Sequence, residues 1–182
     1  MTTAHRPPEL MLDLDDVLCI NAQYGGTHAH LAAYRPSQAS SDLYHRVFEA
    51  GAVAALNQLM VEFRPQVVMT TSWLSLLPDR GHFVDLFNRT GLPLVAQALH
   101  DNWDAPTNRG ESRLAAIDRW LGLHHAGQPL LILDDEESGS SLVGSSHHRA
   151  GRVILCEVNR GFHVGLLDAA RIALRTPYRK GK

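Results

Sequence analysis

Cysteine is scarce in this sequence, which has only Cys19 and Cys156 among its 182 residues. Two cysteines exclude a disulfide framework and a zinc site built from four thiolates. The sequence also lacks an apolar run long enough to cross a bilayer, and its first residues, MTTAHRPPEL, lack the basic-then-apolar order of a secretory signal. We therefore expect a cytoplasmic protein without a membrane partner.

Neither sign of charge dominates, since the formal net charge is −2. This balance argues against the strong positive field that is typical of nucleic-acid binding proteins. The length predicts a single domain over 1–182. Eleven histidines are present, but neighbours such as His124 and His125, or His147 and His148, cannot easily point at one metal. We expect histidines on the surface or in loops rather than in a zinc site.

Apolar runs alternate with segments of helical periodicity along the chain. Buried strands are predicted at 10–14, 66–71, 129–133 and 152–156, with a further short apolar run at 92–96. Helices are predicted at about 53–63, 80–90 and 166–174, and another is predicted to begin after Asn108 with Glu111 as its capping-box partner. This alternation predicts a parallel sheet covered by helices on both faces.

Polar side chains lie at the ends of three of the predicted strands. The first strand ends in Asp13, Asp15 and Asp16, the second ends in Thr70, Thr71 and Ser72, and the strand PLLIL ends in Asp134 and Asp135. Ligands of open parallel sheets bind beyond the carboxyl ends of the strands. Crowded carboxylates repel one another unless a cation neutralises them, and several carboxylates suit a hard cation such as Mg²⁺. The sequence therefore predicts a site for Mg²⁺ and a phosphate at this edge.

The ordered motifs resemble those of the haloacid dehalogenase (HAD) superfamily of phosphohydrolases. The match consists of DLDDVL at 13–18, VVMTTSW at 67–73, an Arg near the start of a later helix, and LLILDDEE at 130–137. More narrowly, the sequence is similar to small HAD domains associated with bacterial RNA-repair proteins. The resemblance implies an α/β fold, a Rossmann-like three-layer sandwich with a mainly parallel sheet and a minimal cap domain or none.

The resemblance also implies roles for individual residues. Asp13 would be the nucleophile that forms an aspartyl phosphate, and Asp15 the general acid and base. Mg²⁺ would be held by Asp13, by the backbone carbonyl of Asp15, and by Asp135 or Asp134, in that order of preference. The phosphate would be bound by Thr70, Thr71, Ser72 and either Arg113 or Arg109, of which we prefer Arg113. Family members often have Gly where this chain has Asp16, whose side chain would point away, bond to local backbone or join the outer shell of the metal.

The irregular segment 21–41 is a possible flap, too short to form an independent cap. An open site fits a phosphorylated substrate that is a large molecule such as a nucleic-acid end. The alternatives are a phosphorylated small molecule and a site completed by a partner chain. The oligomeric state is left open. The alternative is a non-catalytic HAD-like binding module. A receiver domain is disfavoured, because it needs its phosphorylated Asp where this chain has Thr70, Thr71 and Ser72.

Overall fold

A sheet of five parallel strands forms the centre of the computed structural model, which describes residues 6–179. The strands are β1 (Glu9–Leu12), β2 (Gln66–Met69), β3 (Leu99–Asp104), β4 (Leu130–Asp135) and β5 (Val153–Cys156). Their order across the sheet is β3-β2-β1-β4-β5, and every pairing is parallel. The predicted parallel α/β sheet is confirmed, and β1 is its central strand.

Helices cover both faces of the sheet. They are α1 (Gly26–Tyr34), α2 (Leu43–Arg46), α3 (Ala50–Phe63), α4 (Arg80–Arg89), α5 (Pro93–Gln97), α6 (Arg113–His124), α7 (Ser146–Arg149) and α8 (Leu167–Arg175). Leu10 and Leu12 of β1 face the core formed with α1 to α5 and α8, whereas Met11 faces the core formed with α6. Successive strand residues point to opposite faces, so the fold has three layers. None of the helices within residues 6–179 has the length and apolar character that a membrane crossing requires.

The strand β3 was not among the predicted strands. Its sequence, LHDNWD, is polar, and only Leu99 is fully buried, because β3 lies at the edge of the sheet. The apolar run at 92–96 instead belongs to helix α5, which begins with Pro93 in its first turn. Proline is well tolerated there, since its missing N–H would have no intrahelical partner. The remaining strands agree with prediction within about two residues at each end.

Helix α6 begins later than predicted. Ser112, and not Asn108, is its N-cap, because the Ser112 side chain accepts a hydrogen bond from the Ala115 N–H at 3.2 Å. Glu111 does accept from the Asn108 N–H at 2.8 Å, but this contact closes the preceding turn rather than the helix. The shift makes Arg113 the first residue of α6.

The segment 21–41 is more regular than predicted. It contains α1, which buries Ala29 and Ala32 in the core, followed by a short 3₁₀ turn. Small alanines give no strong hydrophobic period, so the helix could not be read from the pattern. The polar segment 138–151 contains a 3₁₀ turn and the short helix α7.

The expectation that histidines lie on the surface or in loops is wrong for His147 of α7, whereas His125 lies in the loop after α6, as expected, although its side chain is little exposed. His147 is buried, with its ring nitrogens 2.7 Å from Asp118 Oδ1 and 2.8 Å from Tyr178 Oη. The His125 side chain is 7% exposed, and its nitrogens lie 2.6 Å from Glu9 Oε2 and 2.7 Å from the Tyr178 carbonyl oxygen. Buried imidazoles are tolerated because both nitrogens of each ring have partners.

Candidate functional site

The strand register brings the predicted polar residues together. Leu12 of β1 pairs with Met69 of β2 on one side and with Leu133 of β4 on the other. The next residue along each strand is therefore adjacent: Thr70 donates its N–H to the Leu12 carbonyl at 2.9 Å, and Asp13 donates its N–H to the Leu133 carbonyl at 3.0 Å. Asp13 thus lies at the centre of the carboxyl edge, between Thr70 and Asp134.

Three carboxylates meet at this edge. Asp13, Asp134 and Asp135 are all buried, and one carboxylate oxygen from each lies within 4.8 Å of the others. We call these three residues the acidic cluster. Arg113 lies beside it, with Nε 3.0 Å from Asp134 Oδ2 and Nη2 3.6 Å from Asp13 Oδ2. If all three carboxylates were ionised, a single guanidinium would leave the cluster with two negative charges.

The three carboxyl groups of the acidic cluster differ in the direction in which their pKa is shifted. Burial raises the pKa of Asp13 well above its ordinary value, the charge of Asp134 adds to this, and Arg113 opposes it. Burial likewise raises the pKa of Asp134 to about 6, against the charge of Arg113. For Asp135, burial is outweighed by hydrogen bonds from Ser138 and from the Glu137 N–H, so its pKa is lowered. Ionisation is therefore unfavourable for Asp13 and Asp134 and favourable for Asp135.

The residues of the cluster fit a hard divalent cation. Asp13 Oδ1 is buried without a hydrogen-bond partner among the described residues, and a buried polar atom left unpaired is costly unless a ligand completes it. The donors are all carboxylate oxygens, which suit Mg²⁺ rather than a softer metal. Within residues 6–179 this is also the one group of three or more acidic, histidine or cysteine side chains placed to hold a metal. The residues thus fit Mg²⁺.

Asp15 lies outside the acidic cluster and is held by other donors. Its Oδ2 accepts a hydrogen bond from the Ser72 hydroxyl, and its Oδ1 accepts one from the Trp73 indole N–H, both at 2.9 Å. The Asn21 amide lies at 3.5 Å from Oδ1. The side chain of Asp15 is therefore placed between the end of β2 and the loop that leads to α1.

The Asp16 side chain bonds to backbone, but not to the local backbone that one of the three alternatives supposed. Asp16 has a left-handed backbone, with φ of 51°, and its Oδ1 accepts a hydrogen bond from the Asn159 N–H at 2.6 Å. The partner is backbone, as one alternative supposed, but it belongs to the loop after β5 rather than to the local turn. The left-handed conformation is one that glycine adopts without steric cost.

The remaining predicted phosphate ligands occupy different positions. Thr70 Oγ1 is buried and has no hydrogen-bond partner within residues 6–179. Thr71 is also buried, accepts from the Trp73 N–H at 3.3 Å and favours the ionised form of Asp13. Arg109 lies exposed in the turn before α6, and no ion pair joins it to the acidic cluster in the described part of the chain.

Three residues of the site were missed by sequence reasoning. Ser138 hydrogen-bonds Asp135, and its hydroxyl lies 3.3 Å from both Asp13 Oδ2 and Asp134 Oδ1. Trp73 and Asn21 contact Asp15. The position of Trp73 directly after Ser72 was the available signal, but an aromatic residue after a strand is more often packing than function.

Comparison with known proteins gives one family. A family model described as the HAD domain in Swiss Army Knife RNA repair proteins matches residues 9–164 of the chain. No curated protein matches the chain, and no solved structure does. The matched segment runs from the start of β1 to the turn before α8, and so contains every residue of the site described above.

Proposed function

Since the chain belongs to the family of HAD domains in Swiss Army Knife RNA repair proteins, we propose that it is a Mg²⁺-dependent phosphatase that hydrolyses phosphomonoesters through an aspartyl phosphate. The observation that carries the proposal is the buried Asp13 at the carboxyl edge of the sheet, whose Oδ1 has no hydrogen-bond partner among the described residues, whose Oδ2 faces Arg113, and which lies beside two further carboxylates.

Asp13 is the nucleophile. A carboxylate oxygen of Asp13 forms a bond to phosphorus while the bond from phosphorus to the leaving oxygen breaks, and Asp15 gives its proton to that oxygen. Asp15 then takes a proton from water as the water oxygen attacks phosphorus, and the bond from phosphorus to Asp13 breaks. This cycle releases inorganic phosphate and restores both carboxyl groups.

Arg113 supports the reaction electrostatically. Its guanidinium faces both Asp13 and Asp134, which supports a role in binding the phosphoryl oxygens beside the nucleophile. The buried Thr70 hydroxyl, which lacks a partner among the described residues, together with the Thr71 hydroxyl and the backbone N–H of Ser72 would donate to those oxygens. Preorganised donors and cations of this kind stabilise the charge of the transition state. Arg109 is the alternative cation if the turn before α6 closes over the substrate.

Asp13, Asp135, Asp134 and the Asp15 backbone carbonyl would hold Mg²⁺. When bound, the metal ion would neutralise the acidic cluster and lower the charge repulsion between the phosphoryl group and Asp13. Asp135 is the preferred partner of Asp13, because its hydrogen bonds keep it ionised. Ser138 orients the ligands through its contacts with the three carboxylates.

We propose that the substrate is a phosphorylated nucleic-acid end, with a small phosphate ester as the alternative. The segment between β1 and β2 packs α1, α2 and α3 into the same core as the sheet, which supports a single domain with no separate cap. An uncovered site accepts the end of a large molecule, and the family description refers to RNA repair.

The test is hydrolysis of an aryl phosphate and of RNA bearing a 5′- or 3′-terminal phosphate, with Mg²⁺ and with chelator. We expect turnover that requires Mg²⁺ and is abolished in Asp13→Asn. The matched control is Glu136→Gln, which removes an exposed carboxylate next to the acidic cluster and should retain activity. Full activity in Asp13→Asn, or activity without metal, would contradict the mechanism. A folded, Mg²⁺-binding protein with no activity on any of these substrates would favour the non-catalytic binding module.

A further inference from the structure

Trp73 makes a contact that neither its packing nor the family roles require. The residue is 1% exposed, yet its indole N–H does not face a backbone carbonyl; it donates to the carboxylate of Asp15. The Ser72 hydroxyl donates to the other oxygen of the same carboxylate. Each oxygen of Asp15 therefore has one donor from adjacent residues of the turn after β2.

The indole itself is fixed in place. Thr71 caps the 3₁₀ turn Ser72–Ser75, which sets the backbone of Trp73. The Trp73 ring packs near Phe48, with centroids 6.1 Å apart. The first turn of α1 closes over it so tightly that a Cβ on Gly26 would lie 2.9 Å from the indole nitrogen. The donor is thus held from three directions and has little freedom to follow a moving carboxylate.

Fixing both oxygens matters for a proton-transfer group. The terminal torsion of an aspartate is broad, so an unrestrained carboxylate would present its oxygens to the leaving group only part of the time. Two donors at 2.9 Å restrict that torsion, and proton transfer depends on such placement, because a misplacement of about 1 Å can cost about 100-fold in rate.

We propose that Trp73 is a positioning residue, which together with Ser72 fixes the carboxylate of Asp15 for proton transfer to the leaving group. This inference rests on the proposed function, because Asp15 needs a fixed orientation only if it exchanges protons with a substrate. Trp73 contacts no reacting atom itself and acts through Asp15.

The variant Trp73→Phe removes the indole N–H and retains most of the ring. We expect kcat/KM for an alkyl phosphate, whose leaving oxygen needs a proton, to fall about 10- to 100-fold. For 4-nitrophenyl phosphate, whose leaving group departs without a proton, we expect a fall of less than about threefold. The parameter kcat/KM is used because it reports the steps up to transfer of the phosphoryl group to Asp13. Ser72→Ala should show the same dependence on the leaving group.

The matched control is Trp120→Phe. Trp120 is also buried and its indole N–H also donates at 2.9 Å, but to the backbone carbonyl of Asn102. Trp120 lies two turns of α6 beyond Arg113 and packs in the other core. We expect this variant to retain the ratio of kcat/KM values for the two substrates. Equal losses on both substrates in Trp73→Phe, or the same loss in Trp120→Phe, would overturn the positioning role.

A second measurement tests the contact without turnover. The indole N–H resonance of Trp73 should move upfield in Asp15→Ala, since it loses a charged acceptor, while that of Trp120 should stay in place. An unchanged Trp73 resonance would overturn the inference even if the enzyme is active. Absence of Mg²⁺-dependent turnover in the wild type would instead overturn the proposed function and, with it, the catalytic meaning of the contact.

Discussion

Replacement of Asp13, the proposed nucleophile, should stabilise the metal-free protein. In Asp13→Asn a buried charge is removed without a large change in volume. The variant loses an attraction to Arg113 at 3.6 Å, worth about 4.5 kcal/mol at an effective dielectric constant of about 20, and a repulsion by Asp134 within 4.8 Å, worth about 3.5 kcal/mol. These two terms nearly cancel. The variant also loses the repulsion by Asp135, which lies within the same 4.8 Å, and the cost of burying the charge, which is several kcal/mol for an ion in a protein interior.

We therefore expect Asp13→Asn to raise the free energy of unfolding by about 2 kcal/mol, or the Tm by about 4–8 °C for a chain of this size. The assay is thermal unfolding in chelator near neutral pH. The pKa of Asp13 is raised by folding, so the wild type loses stability as the pH rises from about 3.9 through that raised pKa. The difference between variant and wild type should grow over the same interval.

Asp135→Asn is the control, because we expect it to lower the free energy of unfolding rather than raise it. The pKa of Asp135 is lowered by folding, so its ionised form contributes stability above a pH of about 3.9 that is lost as the pH falls through the lowered value. Loss of charge-assisted hydrogen bonds from the N–H groups of Glu137 and Ser138 should cost about 1–2 kcal/mol. Addition of Mg²⁺ should stabilise the wild type more than either variant. A metal-free Asp13→Asn that is less stable than the wild type would refute the reasoning.

Three further predictions concern other contacts. Arg113→Met should lower kcat/KM by about 100-fold or more. Arg113→Lys should lower it by less, because Lys retains the charge without the planar fork. Steady-state kinetics at saturating Mg²⁺ measure both losses, and equal losses of kcat/KM in the two variants would argue against a role for the charge. Burial lowers the pKa of His125, but the hydrogen bonds that its ring makes to the acceptor oxygens of the Glu9 carboxylate and the Tyr178 carbonyl outweigh this effect and raise the pKa. The contribution of His125 to stability should therefore be complete below about pH 6.5 and fall as the pH rises through the raised value. Urea unfolding should show a weaker pH dependence in His125→Gln. Asp16→Ala loses the 2.6 Å hydrogen bond from the Asn159 N–H and places alanine at a φ of 51°, so its free energy of unfolding should fall by about 1–3 kcal/mol. The fall should be smaller in Asp16→Gly, because glycine adopts a positive φ without steric cost.

The central part of the site could be predicted because several signals agree there. Asp13 and Asp134 each follow a run of buried apolar strand residues, and in a parallel sheet such residues meet at one edge. The edge strand β3 could not be predicted, because a half-exposed strand needs no apolar run. The start of α6 was ambiguous, since Asn108 and Ser112 are both good caps, and only the folded turn selects Ser112.

Contacts between distant segments were beyond the reach of the sequence. The bond from Trp73 to Asp15 joins residues 58 positions apart, and the bond from Asn159 to Asp16 joins residues 143 apart. Neither Trp73 nor Asp16 shows its partner in the local pattern, which indicates only an aromatic residue and a turn. These partners depend on how α1 and the loop after β5 pack against the carboxyl edge.

The central place of β1 has a consequence for how the protein opens. Thermal opening begins at exposed edges and reaches the interior of a sheet last. The strands β3 and β5 form the two edges, whereas β1 has a hydrogen-bonded neighbour on each side. The backbone amides of β1 should therefore exchange with solvent deuterium only during global unfolding. Asp13 would keep its neighbours while the edge strands β3 and β5 open transiently. The sequences of these edge strands can therefore vary without disruption of the acidic cluster.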